Sequence, residues 1–112
     1  MLIKSYSKIN FTLRVNFKSK SGLHEIQSLY CLINLFDKIK IKKIKKDKDK
    51  ISFIGPFANL VKSRNNSVHN LLKRLRELNL ISNNYSIIIT KNIPVFGGLG
   101  GGSSNAAFIL KY

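Results

Sequence analysis

Five of the chain's seven glycines fall within residues 97–102, as Gly97, Gly98, Gly100, Gly101 and Gly102. They follow a β-rich run, "YSIIIT" at 85–90, and precede "SSNAAF", where Ala106 and Ala107 suit a narrow helix start. No other stretch limits the fold as tightly. A strand must deliver the chain into nearly bare backbone, and a helix beginning near Ser103 must leave it. Glycine permits positive φ and lets the main chain come close to a ligand. The N–H groups of such a loop, with those of the first helical turn, form an anion cradle of the size a di- or triphosphate needs. Ser103 and Ser104 add hydroxyl donors. Two familiar phosphate loops do not fit. A Walker A loop ends in Gly-Lys-Ser/Thr, and the Rossmann fingerprint wants a third glycine where Ser103 stands.

The rest of the chain supplies material for a small sheet. At 112 residues it suits one modest domain, and at 44% hydrophobic it can bury a core. "INFTLRVNF" (9–17) alternates without a break, which predicts a strand with Ile9, Phe11, Leu13, Val15 and Phe17 on one face. Extended backward, that register puts Lys8 beside Asn10 on the polar face. "KSKSGLHEIQ" reads as a polar connection turning at Gly22, and 26–36 as a largely buried strand, with a short helix as the alternative. "KIKIK" alternates again, with Ile39 and Ile41 inward. The charged "KKDKDK" reads as a hairpin or loop, from which "ISFIG" (51–55) pairs back as a strand. Val68, Leu71, Leu72, Leu75 and Leu78 recur at helical spacing over 67–80, with Asn66 or Ser67 as N-cap. His69, within that helix, is expected at the surface.

Charge and cysteine usage bound the function. The formal net charge is +15, which suits an anionic partner such as nucleic acid, nucleotide or acidic lipid. Lysine, isoleucine and asparagine dominate throughout, so coding in an AT-rich genome explains the same excess. The single cysteine, Cys31, sits in an apolar run and reads as a buried thiol in a reducing compartment. No apolar run approaches membrane-spanning length and the start lacks a signal-peptide core, so a soluble, cytoplasmic chain is expected.

Three motifs in order resemble the GHMP kinases: "YSKINFTLRV", "SGLHEIQSLY" and "PVFGGLGGGSSNAA". Within that family the likeness is to members that use ATP to phosphorylate the 2-hydroxyl of a cytidine diphosphate-linked methylerythritol, in non-mevalonate isoprenoid precursor biosynthesis. The resemblance implies an α+β fold like certain ribosomal proteins: a mixed sheet of about five strands, helices on one side and a left-handed βαβ unit. It also implies that residues 1–112 are the family's amino-terminal, ATP-binding domain, truncated within the last helix and without its carboxy-terminal partner.

Roles transfer by position. Lys8 matches a catalytic lysine, whose ammonium would neutralise the migrating phosphoryl group and ease deprotonation of the attacking alcohol. Asn10 and His24 match substrate-binding residues, the imidazole offering one donor and one acceptor to a base edge. Pro94, Val95, Phe96, Gly97, Gly98, Leu99, Gly100, Gly101, Gly102, Ser103 and Ser104 match the ATP phosphate loop. Asn66 and Lys91 match residues flanking the nucleotide, although Asn66 reads equally as a helix cap. Leu23 stands where the family has a stacking aromatic, and Ser21 replaces its aspartate. Mg²⁺ is implied with ATP. The family's catalytic aspartate lies in a later motif, and among Glu25, Asp37, Asp47, Asp49 and Glu77 none has its context. Asp47 and Asp49, among lysines, read as solvated. Little or no turnover is therefore expected of this chain alone. The competing expectation is a basic RNA-binding module of ribosomal-protein-like fold.

Overall fold

The computed structural model describes residues 1–22, 24–61, 66–95 and 101–112, with the side chains of 10–15, 17, 24–28 and 101–103 outside the description. Two long strands open the chain, β1 (Leu2–Lys18) and β2 (His24–Ile44). They pair antiparallel about a tight turn, in which Gly22 N–H donates to the Ser19 carbonyl at 3.0 Å. Gly22 adopts φ 88°, a conformation for which the missing Cβ matters. There follow β3 (Lys50–Ile54), a 3₁₀ turn (Ala58–Leu60), α1 (Ser67–Glu77), β4 (Asn84–Thr90) and α2 (Gly101–Leu110).

Among the described residues the sheet has four strands in the order β1-β2-β4-β3, one fewer than expected. β2 and β4 run antiparallel, while β3 and β4 run parallel with α1 between them in sequence. The sheet is therefore mixed, and β3–α1–β4 is its βαβ unit. Alternation in the sequence becomes rows across the sheet. Ile3 faces Ile39, Ile39 faces Ile89, and Ile89 faces Phe53; beside them Ile41, Ile87 and Ile51 form a second row. Val68 and Leu72 of α1 and Ile109 of α2 close over this face. Each fully buried isoleucine contributes about 1.5–3 kcal/mol relative to exposure. The opposite face carries Lys38, Lys40 and Lys42 outward, as the "KIKIK" alternation predicts.

Four local expectations change. β3 does not pair back on β2: it adds in parallel to the far side of β4. The charged run that looked like a hairpin is tied down by Asp49. Its carboxylate accepts from Arg76 of α1 at 2.5 Å and from Tyr85 N–H of β4 at 2.7 Å, and Arg76 also donates to the Asn83 carbonyl at 2.9 Å. Asp49 is thus a half-buried bridge between turn, helix and strand, not a solvated acid. Residues 29–36 are less buried than read: Leu29, Tyr30 and Leu32 are exposed and Cys31 is half-buried. α1 ends at Glu77 rather than 80 because Asn79 takes φ 56°. There Asn79 N–H donates to Arg76 O and Leu80 N–H to Leu75 O, a Schellman ending with asparagine in the glycine position.

Candidate functional site

Both ends of the glycine-rich segment are anchored to the sheet. On the strand side, residues 91–93 have left the β4 ladder, and their polar groups need new partners. Asp37, on β2 at the inward parity of Ile39, provides them. Its Oδ2 accepts from Lys91 Nζ at 2.5 Å, while its Oδ1 accepts from the backbone N–H of Asn92 at 2.7 Å and of Ile93 at 2.9 Å. The Asn92 amide donates to the Phe36 carbonyl at 3.2 Å. From the other side Lys91 N–H donates to Ile54 O at 2.7 Å, and Phe57 N–H to Lys91 O at 3.3 Å. Asp37 is fully buried and Lys91 is 3% exposed. Pro94 and Val95 continue from this clamp, both half-buried.

On the helix side, Gly101 and Gly102 form the start of α2, two residues earlier than the sequence suggests. Ser104 Oγ donates to the Tyr6 carbonyl of β1 at 2.6 Å. Asn105 is buried, and its Oδ1 has no partner among the described residues. Phe108, one turn along, approaches the Tyr6 ring with centroids 6.3 Å apart. The helix that follows the glycines is therefore seated on the strand that carries Lys8. Two residues past Tyr6, about 7 Å along a strand, Lys8 is exposed, with its Nζ 5.5 Å from the Tyr30 ring centroid.

The remaining site residues divide. Asn66 is the N-cap of α1: its Oδ1 accepts from Val68 N–H and His69 N–H at 3.1 Å each, and lies 3.0 Å from His69 Nδ1. His69 is consequently half-buried rather than a surface residue. Lys91, expected beside the nucleotide, directs its ammonium into Asp37. Asn10 and His24 lie on β1 and β2, opposite Tyr30 and Lys18, with side chains outside the described residues. Phe96, Gly97, Gly98, Leu99 and Gly100 lie outside the described residues, as does Leu23, and the Ser103 side chain is likewise not described. Asp37 is what the sequence reading missed. Its signal was present: an acid at the inward position of an alternating strand must find a partner.

Residues 59–112 match the family model "GHMP kinases N terminal domain". A 4-diphosphocytidyl-2-C-methyl-D-erythritol kinase of Pelagibacter ubique is 44% identical over 98% of this chain and 39% of its own length. One of Ureaplasma parvum is 40% identical over 100% of this chain and 43% of its own. Along nearly its whole length the chain is similar to GHMP kinases. A crystal structure of 4-(cytidine 5'-diphospho)-2C-methyl-D-erythritol kinase superposes with TM-score 0.72 at 29% identity, covering 99% of this chain and 38% of that one. A homoserine kinase from Cytophaga hutchinsonii shares the fold at TM-score 0.63 and 16% identity. The α+β reading and the family resemblance therefore hold for this chain, which spans about two fifths of the length of the curated relatives it matches. No helix among the described residues is long and apolar enough to cross a membrane.

Proposed function

We propose that this chain is the nucleotide-binding, amino-terminal part of an ATP-dependent kinase that phosphorylates the 2-hydroxyl of 4-diphosphocytidyl-2-C-methyl-D-erythritol. The observation that carries the reading is similarity along the whole chain to kinases of that name, coupled to a glycine-rich segment anchored at both ends. Backbone N–H groups of that segment and of the α2 start would hold the phosphates, with no side chain in the way. Lys8, carried on the strand to which α2 is fastened, would face the transferring phosphoryl group, and Asn10 and His24 would hold the acceptor. Catalysis of this kind is positioning plus charge neutralisation. Mg²⁺ would enter with the nucleotide on its own phosphate oxygens. Among the described residues no set of three acidic, histidine or cysteine groups is placed to hold a metal.

A general base is harder to supply from these residues. Asp37 and Asp49 are each committed to a cation, and Glu77 pairs with Arg74 at 3.4 Å. The isolated chain is expected to bind Mg·ATP with one-to-one stoichiometry and to transfer no phosphate at a measurable rate. Calorimetry and a coupled ADP assay check both halves. Turnover at the rate of an intact kinase would show that one of these acids serves as the base.

One observation favours a second reading. Lys4 faces Lys38 across β1 and β2, and Lys40 and Lys42 continue along the same uncovered face. Like charges directly opposite are unfavourable, and a polyanion would relieve them. Under that reading RNA binds instead of ATP, and its affinity falls steeply with salt.

A further inference from the structure

We propose that Asp37 is a positioning residue for the nucleotide site, fixing the backbone that leads into the glycines, and that Lys91 acts through it. The inference rests on the ATP reading above. A carboxylate with no solvent exposure is expensive, and a well-packed apolar pair of similar volume would serve stability as well or better. What an apolar residue cannot do is receive donors from three consecutive residues. Lys91 Nζ, Asn92 N–H and Ile93 N–H all converge on the one carboxyl group.

The opposite side of this segment is closed as tightly. Gly55 has φ +97°, and a Cβ there would lie 3.0 Å from Lys91 O and 3.1 Å from Lys91 N. With the Ile54 and Phe57 hydrogen bonds, residue 91 is gripped between the exit of β3 and the carboxylate from β2. The direction in which the chain departs toward Gly97 is therefore set by Asp37. Lys91, whose ammonium is used internally, neutralises that charge rather than meeting the nucleotide.

The test uses the 112-residue chain, Mg·ATP calorimetry and residue-resolved amide exchange. Asp37→Ala removes the acceptor and the charge; Asp37→Asn keeps the shape and one acceptor. For Asp37→Ala the ATP affinity is expected to fall at least tenfold. Exchange at Asn92 and Ile93 should quicken at least tenfold, while Ile87 and Ile89 in β4 change less than threefold. Asp37→Asn should fall between parent and alanine variant, and it carries the test if the alanine variant does not fold. Equal acceleration at β4 and at Asn92 would mean a merely structural role and overturn the proposal, as would parent-like ATP affinity in the variant that folds. A parent chain that binds no Mg·ATP counts against the kinase reading itself. The exchange contrast then still decides whether Asp37 fixes this segment.

Discussion

The buried Asp37–Lys91 pair is the residue on which the account is most exposed. Removing one partner leaves an uncompensated charge in the interior, at a cost of about 3–5 kcal/mol. Lys91→Met should lower stability by that amount, a large share of the about 5–15 kcal/mol typical of a domain, read as a reduced urea midpoint. Gly55→Ala should also destabilise, by about 1–3 kcal/mol, since its φ disfavours a side chain and the new methyl meets Lys91 backbone. An unchanged melting temperature in either variant would mean that the clamp is not tight. Lys8, the Gly97–Gly102 run and the Asn66 cap were all visible as letters. Asp37 was visible only as an acid out of register, because its partner lies 54 residues away and no local pattern joins them.

Among the elements, those set by nearest neighbours were legible. Asn66 caps α1, and the Ile39/Ile41 alternation faces the core. Asn66→Ala should cost about 1 kcal/mol through two unsatisfied helix N–H groups. At the other end Asn79→Ala should cost about 1–2 kcal/mol, because alanine tolerates the left-handed conformation poorly. Thermal unfolding of both variants checks these values, and a stabilised Asn79→Ala would contradict the capping geometry. The partner of β3 was not legible. A lysine–aspartate run between two strands suggests a hairpin, yet α1 needs a sheet face to cover, and the parallel arrangement puts β3 beside β4 with the helix above both. Likewise the exposed apolar side chains on β2 could not be told from core ones, since periodicity marks faces but not where cover ends.

For the molecule as a whole, the fold sorts its two anionic-ligand candidates onto different places. The glycine-rich segment is tied to β2 through Asp37 and to β1 through Tyr6, whereas the lysines at 38, 40 and 42 look outward from the sheet. Replacing Lys38 and Lys40 by glutamate should flatten the salt dependence of any RNA association. If the same double variant also lost ATP binding, the two sites would not be separate. The net charge of +15 alone could not make this distinction, because charge totals say nothing about which face carries them. The most direct measurement is an amide-resolved NMR titration of the chain with Mg·ATP. Shifts concentrated at residues 91–95, at 101–105 and around Lys8 are expected. Shifts confined to Lys38–Lys42, or none at saturating nucleotide, would contradict the phosphate-binding assignment.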